Sequence, residues 1–60
     1  MSEEMYVDGQ LYLVRDGSRL LEPINGSLME IDNRPDADVC FGRQLNWVRD
    51  QGASVEMRER

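Results

Sequence analysis

A chain of 60 residues with twelve acidic and seven basic side chains, a net charge of −5, no His and one Cys allows one small domain, residues 1–60. It excludes an internal disulfide, a zinc site of the usual Cys/His kind and a Ser-His nucleophile. All seven bases are Arg, and the acidic balance argues against direct nucleic-acid binding and against an anionic membrane surface.

No run is long and apolar enough to span a bilayer, and Met1-Ser2-Glu3-Glu4 lacks the basic start of a signal peptide. A cytoplasmic location is expected. A chain this short buries only about 60% of its unfolded surface and carries no covalent or metal staple, so association with a second subunit is the expected extra support.

Residues 1–4 are expected to be loose. Met5-Tyr6-Val7 then closes a first strand, about 4–7, at the turn Asp8-Gly9. Gln10 to Arg15 alternates and contains β-branched and aromatic residues, which predicts a strand over 10–15. A turn is expected at Asp16-Gly17, or as a three-residue loop over Asp16-Gly17-Ser18 that sets Leu13 opposite Leu21. Strands over 19–24 and 27–31 flank Asn25-Gly26, a dipeptide suited to the positive φ angles of a type I′ hairpin turn. Pro23 is compatible with that hairpin. Next to the bonded pair Ile24 and Ser27, its missing N–H points away from the 27–31 strand, so only the pairing on its other side is weakened.

Two-residue loops at all three turns give one consistent register. One face carries Tyr6, Leu11, Leu13, Leu20, Met29 and Ile31, with Glu22 as a misfit. The second carries Met5, Val7, Tyr12, Val14, Leu21 and Leu28, with Gln10, Arg19 and Glu30.

Asp32-Asn33-Arg34-Pro35-Asp36 is a break. Asn33 is the expected N-cap, with Pro35 in the first helical turn. The helix is expected over about 35–51, ending at Gly52, with an apolar stripe of Ala37, Phe41, Leu45 and Val48. Gly42 within it suggests a close approach of helix and sheet. Residues 53–60 are expected as a short strand or a frayed tail, with Arg58-Glu59-Arg60 frayed. The fold class is therefore α+β: an antiparallel meander of three to four short strands followed by one C-terminal helix packed on one sheet face.

The candidate chemistries give way to structural readings. Asp32, Asn33, Asp36 and Asp38 lack the spacing and glycine of a calcium loop and suit a helix start. Glu3, Glu4, Glu22 and Glu30 are read as solvated strand acids, and the turn glycines do not form a phosphate loop, which also needs a Lys. Cys40 lies at the start of the helix beside its apolar stripe, where a lone cysteine is usually a small buried hydrophobe. No metal, no cofactor, no small-molecule substrate and no enzymatic activity are expected.

The functional argument rests on the second sheet face. A single helix covers one face, and an antiparallel sheet with a solvated second face normally shows polar residues there. Tyr12, Val14, Leu21 and Leu28, with Arg19 on the same face and Trp47 on the rim of the helix stripe, are the expected partner-binding residues. The expected function is a small acidic, non-enzymatic protein–protein interaction module, an adaptor or inhibitor of a larger protein that also self-associates as a homodimer. The alternative is an acidic decoy that imitates nucleic acid and blocks a basic groove.

Overall fold

Three tight turns organise the chain, and two of them are of the expected kind. Asp8 and Gly9 have φ angles of 52° and 84°, and Asn25 and Gly26 of 52° and 81°, the type I′ combination that matches the twist of antiparallel strands. The third turn lies one residue later than expected, over Gly17-Ser18. Gly17 has φ 63° and Ser18 no positive φ, the type II′ pattern with glycine first. Asp16 therefore stays in the strand opposite Arg19, with Leu20 opposite Arg15 and Leu21 opposite Val14. Leu13 is therefore opposite neither Leu20, the partner that a two-residue loop at Asp16-Gly17 requires, nor Leu21.

The computed structural model describes residues 2–59. They form β1 (Ser2–Val7), β2 (Gln10–Asp16), β3 (Arg19–Ile24), β4 (Ser27–Asn33), α1 (Ala37–Asp50) and β5 (Val55–Glu59). All pairings are antiparallel, and the sheet order is β4-β3-β2-β1-β5. The architecture is α+β as expected, but the helix is not the last element. β5 returns to pair with β1 along its length, from Val7 opposite Val55 to Glu3 opposite Glu59. Ser2, Glu3, Arg58 and Glu59, expected to be loose or frayed, are thus in strands; Met1 and Arg60 lie outside the described residues.

Two bulges correct the expected faces. Tyr6 pairs with Leu11 but Met5 pairs with Leu13, so Tyr12 is the extra residue in β2. Likewise Leu21 pairs with Glu30 but Leu20 with Asp32, leaving Ile31 extra in β4. Because side chains alternate with period two, each inserted residue exchanges the faces on one side of it. Met5, fully buried, therefore joins Leu13 and Leu20 in the core. Tyr6 and Leu11, one step along from Met5 and paired with each other, fall on the open face.

The core under α1 consists of Met5, Leu13, Leu20, Ala37, Phe41 and Val48, with Val7, Cys40, Leu45, Ala53 and Val55 packed at its margin. The helix start differs from expectation. Asn33 ends β4 opposite Arg19, and its Oδ1 accepts from the Ser18 hydroxyl at 2.9 Å, so it is not the N-cap. Pro35 disfavours a helical Arg34 and sits in a turn closed by the Ala37 N–H to the Arg34 carbonyl, 3.0 Å. Asp36 takes the N-cap position without a side-chain hydrogen bond.

The helix end is as expected. Gly52 has φ 83°; its N–H donates to the Arg49 carbonyl at 2.9 Å and the Ala53 N–H to the Val48 carbonyl at 3.2 Å. Those two bonds form a Schellman motif, and Ala53 makes its usual apolar contact by packing on the core that contains Val48. Gly42 marks no close approach: a Cβ there would meet nothing within 4 Å.

Candidate interaction surface

The expected partner-binding residues do not share one exposed face. Val14 and Leu21 lie on the open side of the sheet but are only 1% and 7% exposed. A row across all five strands runs from Arg58 through Glu4, Val14 and Leu21 to Glu30, so the two apolar side chains are flanked by long charged ones. Tyr6, Leu11 and Leu28 on the same face are half-buried. Since α1 packs on the other face of the sheet, neighbouring strand residues shield the pair, and the face is a second small core. Arg19 is taken up by Glu30, Nε to Oε1 at 2.7 Å, and Arg58 stacks over the Tyr6 ring at 4.2 Å while pairing with Glu56.

The exposed large apolar residues are elsewhere. The Tyr12 bulge turns that side chain to the helix side, where its hydroxyl donates to Gln44 Oε1 at 3.1 Å. Pro23 offers β2 no N–H, and the β2–β3 ladder ends at Val14 and Leu21. Beyond that rung a groove of about 300 Å³ opens between α1 and β2–β4, lined by Tyr12, Leu13, Leu20, Glu22, Ile31, Asp32, Cys40 and Gln44. Ile31 is 50% exposed at its wall. Met29 is equally exposed and stands opposite Glu22; Ile24 lies two residues along β3 from Glu22, on the same side.

Trp47 lies on the helix flank that borders this groove. At 100° per residue Cys40, Gln44 and Trp47 share one flank, and the first two line the groove. Trp47 is 55% exposed. Of the six expected residues, Tyr12 and Trp47 belong here; Val14, Leu21, Leu28 and Arg19 do not. Met29 and Ile31 were expected beneath the helix, but α1 packs on β2, β3 and β5, short of the outer strand. Pro23 is the sequence signal for the opening; neither bulge has one.

At the Asp32 wall, the Arg34 guanidinium donates to both carboxylate oxygens at 2.8–3.0 Å. That hydrogen bonding holds the Asp32 carboxyl below its ordinary pKa. Cys40 is half-buried with a free thiol. Among the described residues, no three acidic, Cys or His side chains are grouped to hold a metal, and no helix is long and apolar enough to cross a membrane. Comparison of the chain with family models, with curated proteins and with solved structures finds no match.

Proposed function

We propose that this chain is a small, non-enzymatic protein–protein interaction module, an adaptor or inhibitor that docks a larger protein and also self-associates. The observation that carries the docking reading is that exposed Tyr12 and Ile31 line one groove on the helix side of the outer strands, with exposed Met29 and Ile24 on the same side of β3 and β4 and Trp47 on the flank of α1 that carries Cys40 and Gln44. Contiguous exposed apolar surface on a small protein marks a contact site, and Trp and Tyr are enriched among the residues that dominate binding energy. Asp32 and Glu22 on the groove walls supply orientation more than affinity. The acidic-decoy alternative is the weaker reading, because Arg15, Arg19, Arg34 and Arg58 each pair with neighbouring acids and break up any phosphate-like array.

The test compares partner capture from the native host by the parent, by Met29→Ser with Ile31→Ser, and by Trp47→Ser, with Asn46→Ser as a control. The groove variants should melt cooperatively like the parent and lose the partner, while the control keeps it. Equal capture by every variant would place the partner surface elsewhere.

A further inference from the structure

The sheet has two outer edges, and they differ. β4 is bulged at Ile31, which bends an edge strand and interrupts any further ladder. β5 is regular over Val55–Glu59 against β1, and among the described residues nothing pairs with its outer side.

Its free backbone groups can be assigned. Val7 and Gln10 flank a two-residue turn, so they form a bonded pair and the Val7 groups point to β2. Those of Tyr6 then point to β5. The Asp8 N–H to Ser54 carbonyl bond, two residues along, shows the same phase. In β5, therefore, Glu56 and Arg58 bond to β1, and Val55, Met57 and Glu59 turn their N–H and C=O outward.

We infer that a second copy of this chain pairs antiparallel with β5 about a two-fold axis at Met57, giving one sheet that runs through both copies. The inference rests on the self-associating part of the function proposed above and names its surface. In this register the outward groups meet: Met57 bonds Met57 of the second copy, and Val55 bonds Glu59. On the open face Glu56 stands opposite Arg58, twice by symmetry, so opposite charges meet. Sliding β5 by one pairing step either way sets Glu56 against Glu56 or Arg58 against Arg58. The free hydrogen-bonding groups allow all three of these registers, since each pairs outward residues with outward residues, and charge selects the one about Met57. At the β4 edge a two-fold axis at Glu30 sets like charges together.

Sedimentation over a concentration series tests it, with folding followed by circular dichroism. The parent should reach twice the 7.0 kDa chain mass at micromolar concentrations. Arg58→Glu puts like charges opposite each other and should weaken dimerisation about tenfold. The exchange Glu56→Arg with Arg58→Glu restores opposite pairs and should recover it. Met57→Pro removes an N–H that faces outward, so it should leave a folded monomer; if that variant unfolds, the charge exchange decides alone. A parent that stays monomeric overturns the inference together with self-association. A dimer indifferent to Arg58→Glu and Met57→Pro overturns the β5 interface while self-association stands. Partner capture through the groove is scored separately in both cases.

Discussion

Asp8 and Ser54 hold each other by two hydrogen bonds. The Asp8 N–H donates to the Ser54 carbonyl at 2.8 Å, and the Ser54 N–H donates to Asp8 Oδ1 at 3.0 Å. One residue thus serves two elements. Its positive φ of 52° makes the β1–β2 turn, and its side chain fastens the start of β5, 46 residues away in the chain. Replacing Asp8 with Ala removes a hydrogen bond and leaves a β-carbon in a left-handed backbone. A loss of about 1–3 kcal/mol is expected in urea denaturation, with faster amide exchange at Ser54. Asp8→Asn keeps both the acceptor and the turn preference and should lie close to the parent. Equal stability of the Ala variant and the parent would show that the clasp contributes nothing.

Two glycines should respond in opposite directions. Gly42 lies within α1, and an added Cβ meets nothing within 4 Å, so Gly42→Ala should stabilise by about 1 kcal/mol through helix propensity. Gly17 is equally uncrowded but has φ 63°. Gly17→Ala should therefore destabilise by about 1–2 kcal/mol from backbone strain alone. Thermal melts of the two variants decide it; shifts of the same sign would contradict the turn assignment or the helix environment.

The open face of the sheet should behave as core. Leu21 is 7% exposed, and Leu21→Ala is expected to cost about 2–5 kcal/mol, the range for a buried leucine. Leu28 on the same face is half-buried, so its truncation should cost clearly less. If Leu21→Ala denatures at the same urea concentration as the parent, that face is solvated after all.

Acid should weaken the Asp32–Arg34 pair at the wall of the groove. Arg34 hydrogen bonding lowers the folded-state pKa of this carboxyl. Its contribution to stability is thus fully present above the ordinary aspartate value and is lost as pH falls through the depressed one. Carboxyl-carbon NMR titration should find the Asp32 midpoint below that of an unpaired aspartate, and Arg34→Ala should bring it back up. An unchanged midpoint in the variant would remove Arg34 as the cause.

What the sequence determined by itself is local. Asn25-Gly26 and Asp8-Gly9 specify type I′ turns because few residue pairs accept two positive φ angles, and Gly52 ends the helix for the same reason. The spacing of Phe41, Leu45 and Val48 sets the buried side of α1, and Pro23 marks where β3 cannot bond to β2. What only the tertiary structure decided is how these pieces meet. The bulges at Tyr12 and Ile31 arise from fitting neighbouring strands together, and no residue type announces them. One inserted residue exchanges faces, so Met5 became core, Tyr6 and Leu11 moved to the open side, and Tyr12 moved to the groove. The expected interface was displaced with them: Val14 and Leu21 were on the expected face but are shielded there by their neighbours, whereas Met29 and Ile31 lie beyond the reach of the helix. β5 was one of two open readings, because a short exposed run pairs or frays according to whether a partner edge is within reach. The Schellman turn at Gly52 and the Asp8 clasp bring that edge to it.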